Sequence, residues 1–136
     1  MKLYAGVIIL QNNKIGLQKR DDKPEIVNPG MITAFGGTAE MDEDVEQVLK
    51  REFEEELGVD IDLFPRSFLG RFQKAEHDGS ETSCHFWLVV DDHDLIKTAF
   101  EGRLHWFPSL AAALQETNMS PPCRWALEQV ENCMET

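Results

Sequence analysis

The chain has 136 residues, 42% of them hydrophobic, with 25 acidic against 13 basic side chains and a formal net charge of −12. That length suits one domain over residues 1–136 with a real core. The charge argues against nucleic acid as a bulk partner, because phosphate backbones are held by stripes of Lys and Arg and none is visible. No run of about 18 apolar residues occurs, so no membrane-spanning helix is expected. The opening MKLYAGVIILQNNK alternates like a strand and has no small-residue cleavage site, so it does not read as a signal peptide. Cys84, Cys123 and Cys133 are odd in number and lack CxxC spacing, which suits free thiols in a reduced cytoplasmic compartment and disfavours zinc.

In chain order, Leu3–Leu10 and Lys14–Lys19 read as strands joined by a hairpin turn at Gln11-Asn12-Asn13. Arg20–Gly30 is polar and contains proline, hence a loop. Met31–Phe35 reads as a short strand running into Gly36-Gly37. A helix is expected from about Asp42 to Leu57, with Asp42 as N-cap, Glu43 and Asp44 in the first turn and Gly58 as the stop. Ile61–Lys74 reads as extended, with a break at Pro65, and His77–Thr82 as a polar loop. Cys84–Val90 is the strongest buried-strand run. His105–Phe107 reads as a short strand, and Ser109–Glu116 and Pro121–Cys133 as helices, the second led by proline. Strands bracketing two or three helices suggest a mixed sheet between helical layers.

The Asp42–Leu57 helix carries the chemistry. Val45, Val48, Leu49, Phe53 and Leu57 form its buried stripe. At about 100° per residue, Glu52 and Glu56 fall inside that apolar arc and Glu55 lies on its edge, while Gln47, Lys50 and Glu54 face solvent. Glu52 and Glu56 are like-charged neighbours one turn apart, at the wrong end of the helix for its dipole. Arg51 can pair with Glu55 but cannot neutralise the whole cluster. Inward carboxylates are costly unless a cation sits on them, and oxygen ligands without Cys or His suit Mg²⁺ or Mn²⁺.

The segment GTAEMDEDVEQVLKREFEEELGV, Gly37 to Val59, resembles the signature of the Nudix (MutT-like) hydrolases. Every fixed position is filled: Gly37, Glu43, Arg51-Glu52, Phe53, Glu55-Glu56, Gly58 and Val59. The resemblance implies an α/β/α sandwich with a mixed β-sheet, and hydrolysis of a diphosphate link in a nucleoside diphosphate joined to another group. It implies that Glu52, Glu55 and Glu56 hold divalent ions and that Glu52 also helps deprotonate the attacking water. It further implies that a carbonyl of Gly36 or Gly37 adds a ligand, that Arg51 orients Glu52, and that Glu43 supports the Arg or the helix end. A loop acid commonly joins such a site; Glu101 is the first candidate, with Glu76, Asp78 and Glu81 as alternatives.

The group attached to the diphosphate is less legible. Tyr4 is the only tyrosine, so the downstream tyrosine of dinucleoside polyphosphate hydrolases is missing. Position 75, sixteen residues past the signature, is Ala75 rather than the proline linked to ADP-ribose hydrolases. Elimination leaves a small-molecule nucleoside triphosphate, standard or damaged, cleaved to monophosphate and pyrophosphate. A nucleotide sugar, or a catalytically silent nucleotide sensor, is the alternative. Phe35 stands where many members have proline and can either pack in the core or line the base pocket. Asn118, before the last helix, can contact a base or serve the turn. Family members often dimerise, which makes a homodimer compatible with the resemblance.

Overall fold

The computed structural model describes residues 1–26 and 29–134. Residues 27 and 28, inside the loop expected over Arg20–Gly30, and residues 135 and 136 lie outside it. Strands β1 (Lys2–Gln11) and β2 (Lys14–Lys19) form the expected hairpin. Asn12 and Asn13 turn it with φ of 50° and 70°, a left-handed pair that asparagine tolerates and that matches strand twist.

The segment expected as one strand over Met31–Phe35 divides at Ala34. Strand β3 (Ile32–Thr33) pairs with β2, and β4 (Phe35–Thr38) leaves to pair with β1. Gly36-Gly37 therefore lie within a strand. The region expected as extended from Ile61 begins instead as a 3-10 turn, Ile61–Leu63, capped by the Asp60 side chain. Strand β5 (Arg66–Ala75) starts only after Pro65, which has no N–H to give a ladder. Strand β6 (Glu81–Val90) takes in the end of the expected polar loop, and β7 (Arg103–Phe107) follows.

The seven strands form one mixed sheet in the order β3-β2-β1-β6-β5, with β4 also on β1 and β7 on β2; β1 and β6 run parallel. Side chains alternate across β1. Val7 and Ile9 point toward helix α1 (Val45–Leu57) with its Val48, Leu49, Phe53 and Leu57. Ile8 points to the other face, against α2 (Leu110–Leu114) and α3 (Pro121–Met134), which contribute Ala113, Ala126, Leu127 and Val130. This is the expected α/β/α sandwich. No helix among the described residues is long and apolar enough to cross a membrane.

The start of α1 differs from expectation. Asp42 is not its N-cap but sits in a left-handed turn with φ of 67°, and the cap is Asp44. Asp44 accepts the Gln47 N–H at 2.9 Å while the Gln47 side chain accepts the Asp44 N–H at 2.8 Å. This reciprocal box satisfies two donors and defeats the earlier start. Glu43 thus precedes the helix rather than lying in its first turn. At the other end Gly58, with φ of 73°, closes the helix by donating to the Glu54 carbonyl.

Candidate active site

The site lies where α1 crosses the edge of β4, and at Gly36 the backbone approach is close enough to dictate glycine. A Cβ on Gly37 would come within 2.3 Å of the Glu52 carboxylate, and one on Gly36 within 2.1 Å of the Ala5 carbonyl. Glu56 is only 2% exposed. The Glu52 side chain is 15% exposed and that of Glu55 52%. The order of burial is the order the helical arc predicts.

Arg51 gathers the signature acids. Its Nε and Nη2 donate to the two Glu43 oxygens, each at 2.7 Å. Its Nη1 donates to Glu52 Oε1 at 2.8 Å and to Glu55 Oε2 at 3.4 Å. Such bidentate, charge-assisted pairing fixes the guanidinium in its plane. Hydrogen bonding from Arg51 holds the Glu43 carboxyl down at about 2. Glu43 is therefore the anchor through which Arg51 presents Glu52.

Glu56 has no such partner. Gln18 Nε2 donates to its Oε2 at 3.1 Å, but its buried Oε1 has no hydrogen bond. Burial, then the charges of Glu52 and Glu101, push its carboxyl up to about 8, against the pull of Gln18 and the Gly36 N–H. Burial also raises the Glu52 carboxyl, opposed by the hydrogen bond from Arg51. Glu101 lies close enough for its charge to act on both acids. Its segment is tied down by Gln18 Nε2 donating to the Glu101 carbonyl at 2.9 Å and by the Phe100 N–H donating to the Glu56 carbonyl at 2.8 Å.

Gln18 is the residue that sequence reasoning missed. It joins Glu56 to the Glu101 segment, yet a lone glutamine on a short strand gives no signal of that role. Phe35 is 1% exposed and packs beneath α1 with Val48 and Leu49, so it is a core residue and offers no surface to a base. Asn118 is committed elsewhere: its side-chain amide donates to the Gly30 carbonyl at 3.2 Å, pinning the loop before β3. Phe35 thus borders Glu52 only from within the core, and Asn118 does not join the carboxylates. Among the alternatives to Glu101, Glu76 is held by Thr82 and Asp78 by Ser80, both away from α1.

These residues fit a hard divalent cation. The donors are all oxygen, one carboxylate oxygen is buried without a partner, and the two glycines leave room for close backbone approach. Among the described residues no three acidic, imidazole or thiolate groups already converge on one point. Arg51 holds Glu52 and Glu55 by one oxygen each.

A cleft of about 430 Å³ opens from Gly36-Gly37 along the other face of the sheet, floored by Tyr4, Cys84 and Phe86 and walled by the start of α3. Lys2, Arg20 and Lys74 line it. Cations concentrated there, in a chain of net charge −12, favour an anionic occupant.

Residues 2–125 match the family model of the NUDIX domain. The E. coli ORF135 protein, in its solution structure, is 28% identical, with 98% of this chain and 91% of that chain covered and a TM-score of 0.77. Two further solved structures share the fold. The MutT NUDIX hydrolase from Burkholderia pseudomallei is 24% identical, with 95% and 97% covered and a TM-score of 0.70. The C. elegans Ap4A hydrolase, in a binary complex, is 17% identical, with 99% and 98% covered and a TM-score of 0.77. A comparison with curated protein sequences gives no match. With the family model spanning nearly the whole chain and the signature Glu43, Glu52 and Glu55 gathered under Arg51, this chain belongs to the Nudix hydrolases, which act on nucleoside diphosphate derivatives.

Proposed function

We propose that this chain hydrolyses nucleoside triphosphates, standard or damaged, to nucleoside monophosphate and pyrophosphate, with Mg²⁺ or Mn²⁺ as cofactor. The observation that carries this reading is the unpartnered, buried Glu56 oxygen beside Glu52, with Gln18, its donor, and Gly36-Gly37 lining a cleft that also holds three cations. Glu52, Glu55 and Glu56 would hold the cation, with Glu101 and the Gly36-Gly37 backbone completing its surroundings. When bound, a divalent cation neutralises the polyphosphate and acidifies water enough for attack near neutral pH.

The chain's own groups do the rest. Glu52 takes the proton of the attacking water, a task suited to a carboxylate whose affinity for protons burial has raised. Arg51, braced by Glu43, keeps Glu52 pointed toward Gly37. Attack at phosphorus breaks one P–O–P link, and the cleft holds the nucleoside half.

The test is a hydrolysis screen with Mg²⁺ over nucleoside triphosphates, their oxidised forms, nucleotide sugars and dinucleotides, with products identified by mass. Monophosphate and pyrophosphate from triphosphates, lost in EDTA, are expected. Cleavage of nucleotide sugars alone would replace the substrate assignment. Tight nucleotide binding without any product would replace the enzyme by a sensor.

A further inference from the structure

Glu76 is the one acid among the described residues lining the cleft, and a carboxylate in a site for anions needs a reason. Its backbone is fixed by the tight β5–β6 turn: the Glu76 N–H donates to the Ser80 carbonyl at 2.9 Å and the Gly79 N–H to the Glu76 carbonyl at 3.2 Å. Its side chain is held by one oxygen. Thr82 Oγ1 donates to Oε1 at 2.9 Å, and Lys74 Nζ lies 3.6 Å from the same atom. Among the described residues no hydrogen bond or ion pair of Oε2 accompanies them, so one acceptor oxygen is left beside a lysine donor.

The sheet register gives the distance from the reacting end. Gly36 lies beside Gly6 and through it beside Phe86, whereas Thr82 lies beside Lys2 and Lys74. Four residues along β6 separate the two levels, about 13 Å at about 3.3 Å per residue. A nucleotide with its polyphosphate at Gly36-Gly37 spans that length. Its sugar would cross Tyr4 and Cys84, and its base would arrive at Glu76 and Lys74.

A carboxylate only accepts hydrogen bonds. It favours a base edge carrying an amine and repels a keto oxygen in the same place, while Lys74 donates to the neighbouring ring nitrogen or carbonyl. We propose that Glu76, with Lys74 beside it, is a specificity-determining residue that selects nucleotides whose base presents an exocyclic amine over those presenting a keto oxygen there. This rests on reading the cleft as the nucleotide site of the proposed triphosphate hydrolase.

Cytidine and uridine triphosphates differ in this group and form the test pair. The wild-type protein should hydrolyse CTP with a kcat/KM about tenfold or more above UTP, the scale of one hydrogen bond to a charged group. Glu76→Gln preserves an oxygen for Thr82 and adds an N–H that can serve a keto group, so the ratio should collapse toward one. The gain on UTP is a readout that mere structural damage would not produce. Equilibrium binding of CMP and UMP, measured by calorimetry without metal, should show the same preference and the same collapse. Hydrolysis of both triphosphates with a ratio near one in the wild type, or a ratio unchanged in Glu76→Gln, overturns the assignment to Glu76 and leaves the hydrolase reading intact. Absence of both hydrolysis and binding overturns the two together.

Discussion

Two buried carboxylates, Asp91 and Glu56, have opposite fates. Asp91 is 0% exposed and follows β6. Its oxygens accept from the N–H groups of Ile96 at 2.8 Å, Leu95 at 3.0 Å and His93 at 3.3 Å, and from Gln11 Nε2 at 2.8 Å. Burial pushes its carboxyl up, but these donors outweigh burial and hold it below the usual range. Glu56, equally hidden, has one side-chain donor and an orphaned oxygen, and burial with the charges of Glu52 and Glu101 pushes its carboxyl up to about 8. Burial alone does not set the state of such an acid; the donors and charges facing it do. Asp91 closes the loop between β6 and β7, whereas Glu56 keeps an oxygen that no donor among the described residues satisfies, as the proposed ion site requires.

The largest effect expected from breaking this contrast is on turnover. Glu52→Gln should lower kcat by orders of magnitude with unchanged circular dichroism, because it removes the proton acceptor and keeps the shape. A near-normal rate would remove Glu52 from the mechanism.

Next comes stability. Asp91→Ala strands three backbone donors and the Gln11 amide, so it should cost about 3 kcal/mol in urea unfolding. Glu56→Gln should leave metal-free stability unchanged or raise it, since a neutral amide of the same shape replaces a carboxyl that the fold must keep protonated near neutral pH. Equal losses in the two variants would erase the distinction between the sites.

A smaller effect is the response to metal. Millimolar Mg²⁺ should raise the melting temperature of the wild type, as any ligand of the native state alone does. Glu55→Gln with Glu56→Gln should abolish the rise; a rise that survives would place the ion elsewhere.

The smallest effect is the pH slope without metal. Glu56 holds its proton up to about pH 8 in the fold and loses it near the usual carboxylate range when unfolded. Its contribution is therefore complete below that range and is lost as pH rises to about 8. Asp91, shifted downward, contributes above the ordinary aspartate range and loses that contribution as pH falls. Between pH 5 and 8 the Glu56→Gln variant should show a flatter decline than the wild type, and identical slopes would refute the burial argument for Glu56.

The glutamate helix was legible because helical periodicity is local. Residues four apart share a face whatever surrounds them, so Glu52 and Glu56 betrayed themselves as inward acids before any contact was known. The same locality misplaced the helix start: several acids in a row all resemble caps, and only the reciprocal bonds of Asp44 and Gln47 choose among them. Phe35 could not be assigned from its neighbours in sequence, because which face of β4 it occupies depends on the register with β1.

The sequence alone carried the resemblance of residues 37–59 to the Nudix signature, and its spacing determined the helix that carries the acids and the residue types able to hold a hard cation. Only the tertiary structure decided that Gln18 links Glu56 to the Glu101 segment, that Asn118 serves Gly30 and that Glu76 lines the cleft. Each of those facts joins residues separated by dozens of positions. Such pairs meet through the order and register of strands, which no local pattern records.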